Sequence, residues 1–331
     1  MPSQAEKISS SCLCSCLRGI KLVLAIRPSS RFSLLDSIFF DCGSAALCLY
    51  VPIFLSSRMN RNSTTGLSFL PRLVVAALGF VLMLGSASAS PHLHLAGDST
   101  MADKSNKAPN LERGWGQMLR EYLVDPASLS NYAMNGRSSK SFIDEGRWQK
   151  LLDGVHAGDF VIIQFGHNDQ KEKAADRYAP AHGLYRENLL RFIKDVRAKG
   201  AEPILATSIC RRRFDEAGHL VDTHGDYPVV VREVAAEQKV ALLDMQVSTW
   251  QLFERLGPEG AKKLLMWVEP GKYPELPKGS KDDTHLNEEG GRIVAGLAVQ
   301  EMRAKHLGVA ALFKDGENAS APKTLVPATE P

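Results

Sequence analysis

Residues 160–169 read Phe160-Val161-Ile162-Ile163-Gln164-Phe165-Gly166-His167-Asn168-Asp169. The first six positions are apolar almost without interruption, and the run is too short for a helix. A strand with both faces buried, as in a parallel sheet, reads this way. It stops at a glycine and turns polar at once. Downstream, Leu184 to Lys199 places Leu189, Phe192, Ile193 and Val196 on one helical face and ends at Gly200, a favoured residue just past a helix. Pro203–Ala206 predicts the next strand, Val229–Gln238 a helix, Val240–Leu243 a short strand and Gln246–Leu256 another helix. Asn287 caps a last helix that carries Glu288 and Glu289 in its first turn. Upstream, His92–Ala96 alternates like a strand and Trp115–Leu123 is amphipathic. Strand–helix alternation over this length predicts one α/β domain whose parallel sheet is covered on both faces. Met266–Thr284, rich in Gly, Pro, Tyr and Lys, is expected to be a long irregular connection.

The first ninety residues differ in kind. Five of the six cysteines precede Met59, leaving Cys210 as a lone thiol expected to pack in the core. From Met59 onward, Arg61 and Arg72 precede a 12-residue apolar run, Leu73–Leu84, and Ala87-Ser88-Ala89 forms a small-x-small cleavage site. These are the three regions of a secretory leader, and the run is shorter than the roughly 20 residues that span a bilayer. The expected organisation is therefore a non-native upstream extension at 1–58 of uncertain or no structure, a leader at 59–89, a hydrolase domain at 90–312 and a loose tail at 313–331. A rival reading makes Ile38–Leu55 a membrane helix, interrupted by Asp41 and Pro52. Residues 1–58 carry six basic and three acidic side chains, and 59–89 two basic and none acidic. The +3 of the full chain thus becomes −2 from residue 90 onward, which gives no footprint for nucleic acid. The cleaved chain is expected to be exported, without a stable membrane anchor.

In a parallel sheet, ligands bind beyond the carboxyl ends of the strands. Four polar segments fall at strand ends or in a nearby loop: Gly97-Asp98-Ser99-Thr100, Asn135-Gly136-Arg137-Ser138, Gly166-His167-Asn168-Asp169 and Asp282-Asp283-Thr284-His285. Each alone reads as a turn or a helix cap. Together they supply what acyl transfer needs: a serine, a base with an orienting carboxylate, and donors for an oxyanion. No Gly-x-Ser-x-Gly elbow, dinucleotide fingerprint or phosphate loop occurs. No His-Glu-x-x-His occurs either, and no cysteine cluster remains after residue 89, so neither a metal nor another cofactor is expected.

At these residues the chain resembles the SGNH (GDSL) hydrolase superfamily, whose blocks carry Ser, Gly, Asn and His in that order. The resemblance implies a flavodoxin-like three-layer α/β/α sandwich with a five-stranded parallel sheet. It implies Ser99 as nucleophile, His285 as base and Asp282 as its partner. The oxyanion donors would be the main-chain amides of Ser99 and Gly136 and the side chain of Asn168. Within the superfamily the chain is most similar to rhamnogalacturonan acetylesterases, through Gly97–Ala102, Glu112–Gln117, Asn131–Phe142, Glu145–Trp148, Gln164–Asp169, Arg211–Phe214 and Met266-Trp267 with the run to His285. Leu286 departs from the pattern, standing where many relatives have an aromatic residue at the rim of the site.

That likeness implies a serine acetylesterase acting on acetylated pectic polysaccharide, with water as second substrate. Rhamnogalacturonan is a polyanion, so Arg137, Arg211, Arg212 and Arg213 are candidates to meet its carboxylates, with pairing inside the protein as the equal alternative. Trp267 and Tyr273 are candidates to stack on sugar rings, although Trp267 could equally be core. His167 is given no part in proton transfer. A broader esterase for acetylated xylan or small esters, and a polysaccharide-binding protein without turnover, are the competing readings.

Overall fold

Five short parallel strands carry the core: β1 (Leu93–Gly97), β2 (Leu129–Asn131), β3 (Phe160–Gln164), β4 (Glu202–Ala206) and β5 (Ala241–Leu243). The computed structural model describes residues 16–17, 20–25, 37–41, 90–105, 110–274 and 276–315. The strands lie in the order β2-β1-β3-β4-β5, the flavodoxin-like arrangement. All four pairings are parallel, with Leu93 opposite Leu129 and Phe160, and Ile162 opposite Ile204.

Because side chains alternate along a strand, each face of the sheet receives its own set. Leu93, Leu95, Ile162, Ile204 and Leu243 pack with Trp115, Leu252, Phe253, Ile293 and Val299. These come from helices α1 (Trp115–Met118), α6 (Met245–Lys262) and α7 (Glu288–Ala304). On the other face Ala96, Val161, Ile163 and Leu205 meet Phe142, Trp148, Leu189, Phe192 and Val230. Their helices are α2 (Ser139–Asp144), α3 (Arg147–Gly154), α4 (Arg186–Ala198) and α5 (Asp226–Gln238). The fold is thus a three-layer α/β/α sandwich. Each fully buried Leu, Ile or Phe contributes about 1.5–3 kcal/mol of transfer free energy.

Several expectations change. The connection 266–284 is not irregular: β6 (Leu265–Val268) and β7 (Ser280–Leu286) form an antiparallel pair at either end of it. The tail begins later than residue 312, because Phe313 is buried, pairs with Leu123, and is followed by Lys314, whose N–H donates to Tyr122 O. Leu286 is core rather than rim. Helix α6 runs past Leu256 through a kink at Gly257, where φ is +66°, into Pro258.

Residues 1–85 form a separate unit. In it Cys16–Leu17, Ile20–Ala25 and Ser37–Asp41 pair as a three-stranded antiparallel sheet, within the stretch read above as an upstream extension. The first four residues of the rival membrane helix, Ile38–Asp41, are therefore strand. The leader at 59–89 lies outside the described residues.

Candidate active site

Strand β1 delivers Ser99 two residues past its end, on a turn fixed from several sides. The buried Asp98 accepts from the Thr100 N–H at 2.9 Å and the Thr100 hydroxyl at 2.8 Å, and its carbonyl accepts from the Met101 and Ala102 N–H groups. Thr100 Oγ1 accepts from Gln164 Nε2, while Gln164 Oε1 accepts from the Trp115 indole. The Trp115 main chain also donates to Thr100 O. Gly114 makes that approach possible, since a β-carbon there would lie 2.3 Å from Ala102 O. Burial raises the Asp98 carboxyl above its ordinary range against the two Thr100 hydrogen bonds.

The Gly136 loop is anchored where the Met134 N–H donates to Gly97 O. Gly136 sits at φ +75°, a conformation that L side chains rarely adopt. Neither the Ser99 nor the Gly136 N–H has a hydrogen-bond partner among the described residues.

Asn168 is buried and its amide orientation is fixed from both ends. Nδ2 donates to Arg137 O at 2.9 Å, and Oδ1 accepts from Lys171 Nζ at 3.0 Å. The second Nδ2 hydrogen remains for a ligand. Asp169 ties the two loops together, accepting from the Ser139 N–H and hydroxyl and from the Gly166 N–H. Burial pushes its carboxyl up to about 7, opposed by the Ser139 hydrogen bonds.

A bulge in β7 presents the last two groups. Lys281 faces Trp267 and Leu286 faces Leu265, so five steps along one strand answer two along the other. In the excess, Asp282 Oδ1 accepts from the N–H groups of Thr284 and His285, and Asp282 Oδ2 lies 2.8 Å from His285 Nδ1. His285 Nε2 lies 2.9 Å from Ser99 Oγ. Burial would raise the Asp282 carboxyl, but the hydrogen bonds from His285 outweigh it and hold it near about 2. An ionised Asp282 accepts a hydrogen bond from the Nδ1–H, which fixes the proton on Nδ1 and leaves Nε2 as acceptor for the serine hydroxyl.

Residues not singled out from the sequence complete the site. Glu112 Oε1 lies 3.9 Å from His285 Nε2 and pairs at 2.5 Å with the buried Lys104, which also donates to Asn135 Oδ1. Burial lowers the His285 pKa, yet the Asp282 hydrogen bond and the charges of Glu112 and Asp282 raise it overall. A charged residue inside a segment already recognised, Glu112–Gln117, was the available signal. Lys171 is silent by type, because it reads as an ordinary surface residue.

The structure brings Ser99, Asp282 and His285 together. It places the proposed carboxylate-binding arginines differently. Arg137 is bonded to Glu145 and Asn135 O, Arg211 to Thr223 and His167 O, and Arg212 to Asp283 and Pro258 O. These guanidiniums are spent within the protein, while Arg213 is exposed. Trp267 is not a free stacking platform: its indole donates to Asp283 Oδ1, and Arg212 and Lys262 lie 4.9 and 4.6 Å from its ring centroid. Tyr273 is half-buried, with Lys272 Nζ 5.8 Å from its ring centroid. His167 is buried, edge-on to His224, with neither ring nitrogen hydrogen-bonded, and burial holds its pKa well below the usual histidine range.

Residues 95–293 match the model of the GDSL-like lipase/acylhydrolase family. The chain belongs to that family. It is 39% identical over 207 residues to the rhamnogalacturonan acetylesterase RhgT of Bacillus subtilis (strain 168), covering 62% of this chain and 87% of that one. A rhamnogalacturonan acetylesterase of Emericella nidulans is 32% identical over 241 residues, covering 66% of this chain and 87% of its own. Among solved structures, the crystal structure of YxiM from Bacillus subtilis superposes with a TM-score of 0.57 at 27% identity, over 66% of this chain and 58% of that one. This SGNH chain is a carboxylic ester hydrolase.

Proposed function

We propose that this esterase removes acetyl groups from a pectic polysaccharide of the rhamnogalacturonan type through an acetyl-enzyme on Ser99. The observation that carries the chemistry is one imidazole bridging two partners, Asp282 at 2.8 Å and Ser99 at 2.9 Å. His285 Nε2 takes the hydroxyl proton as Ser99 Oγ bonds to the acetyl carbonyl carbon. The Ser99 and Gly136 N–H groups and the free Asn168 hydrogen hold the resulting oxyanion. Collapse breaks the bond to the sugar oxygen, which leaves with the proton from His285. Water then gives a proton to His285 while adding to the acetyl carbon. The second collapse breaks the bond to Ser99 Oγ, which recovers its proton, and acetate departs.

The substrate assignment draws on the two acetylesterases named above. It is tested by comparing acetate release from acetylated rhamnogalacturonan and acetylated xylan. Faster release from rhamnogalacturonan is expected, and an equal or reversed order discards the pectic assignment. The enzyme is also proposed to be exported, with an N-terminus at or near Ser90; mass spectrometry finding residues 1–58 retained on the exported chain would contradict this.

A further inference from the structure

Two cations stand beside the proposed oxyanion donors, Lys171 beside Asn168 and Arg177 beside Gly136. Lys171 is exposed, and its Nζ is bonded to a neutral acceptor, Asn168 Oδ1. Arg177 Nη1 lies 3.6 Å from the position a β-carbon on Gly136 would take. Its acidic partner is Asp176, the adjacent residue, whose side chain is itself two-thirds exposed. Both cations lie on the segment that follows Asn168, so the chain that supplies the third donor also supplies the charge. The ammonium of Lys171 is held below the usual lysine range by burial first and by its neighbours Arg177 and Arg211 second. Like charges held together cost free energy unless an anion joins them.

We propose that Lys171 and Arg177 form a binding site for a uronate carboxylate, placing a galacturonate residue so that its acetylated hydroxyl meets Ser99. This deepens the pectic reading and rests on it. In the proposed reaction Gly136 and Asn168 hold the acetyl carbonyl oxygen, and a cation stands beside each. Arg177 offers Nη1, since its Nε and Nη2 donate to Asp176, and Lys171 offers a point charge with two hydrogens left after its bond to Asn168. Of the four arginines that the sequence suggested for this task, Arg137, Arg211 and Arg212 are bonded within the protein.

The test uses the full enzyme, Lys171→Gln, Arg177→Gln and the double variant. Substrates are acetylated rhamnogalacturonan oligosaccharides with free carboxylates, the same oligosaccharides methyl-esterified, and acetylated xylo-oligosaccharides. The unaltered enzyme should favour the free acid over the methyl ester in kcat/KM. The double variant should lose about 10–100-fold of that preference, chiefly through KM, as charge-assisted contacts are lost. Each single variant should lose part of it. Three results overturn the site: no preference for the free acid in the unaltered enzyme, a preference that survives the double variant, or an equal loss on charged and neutral esters. The last would assign Lys171 to holding Asn168 alone. The pectic reading fails separately, if the unaltered enzyme prefers the xylo-oligosaccharides.

Discussion

Both ends of the parallel sheet hold histidine, aspartate and serine in hydrogen-bonded contact, and only one end is arranged for catalysis. At the carboxyl ends of the strands, one ring, His285, touches both Asp282 and Ser99. At the amino ends the partners are divided between two rings. His94 Nε2 lies 3.2 Å from Asp159, while His92 Nε2 lies 2.9 Å from Ser130 Oγ. Asp159 is also occupied by the N–H groups of His92 and His156, both at 2.8 Å. The upper histidine has its pKa raised through its acids, and burial lowers that of His94 despite Asp159. Residue types are therefore not the discriminator. A proton relay requires a single ring bridging acid and hydroxyl, with unspent N–H donors beside the hydroxyl.

The largest effect should come from Ser99→Ala, which is expected to cut acetate release by at least about 10⁴-fold while the melting curve is retained. The matched substitution Ser130→Ala should leave turnover within about twofold, since Ser130 faces no bridging ring. A comparable loss in both would erase the distinction between the ends. Next, Asn168→Ala should lower kcat about 10²–10³-fold, the cost of one oxyanion donor; a change confined to KM would remove Asn168 from that role.

Asp159→Asn is expected to reverse the pattern, costing about 1–3 kcal/mol of stability in denaturant unfolding with kcat little changed. The folded-state pKa of Asp159 is depressed: burial opposes, but the His156 and His92 N–H bonds and His94 win. Its contribution is therefore present at neutral pH and fades as pH falls through the carboxylate range. Unfolding that is equally stable at pH 7 in both proteins would contradict the assignment. The smallest effect should be Glu112→Gln. Glu112 helps raise the His285 pKa, and the base must be neutral to act. The acidic limb of kcat/KM against pH should move to lower pH, and an unmoved limb or a move to higher pH would remove Glu112 from that role.

Much of this was legible in the sequence for identifiable reasons. The buried strands betray themselves because neither face admits polar residues, and four of five were found. Strand β2 was missed because Leu129-Ser130-Asn131 is three residues at the sheet edge, with a single fully buried side chain. Helix α2 was missed because its fixing comes from Ser138 and Ser141 reciprocally capping a polar segment. The β6–β7 pair was hidden by the bulge that gives the site its shape, since the excess residues break the alternation that marks a strand. The four motif segments were readable because each sits where a strand or turn must end in polar groups. Glu112, Lys104 and Lys171 were not, because their roles depend on distances closed only by folding.

The most direct measurement is peptide mass spectrometry after treating the enzyme with a serine-directed fluorophosphonate, run in parallel on the unaltered protein and on His285→Ala. One adduct per chain on the peptide containing Ser99, with activity lost in proportion and labelling strongly slowed in the variant, is the expected result. Full inactivation with the adduct elsewhere, or undiminished acetate release from protein fully labelled at Ser99, would contradict it.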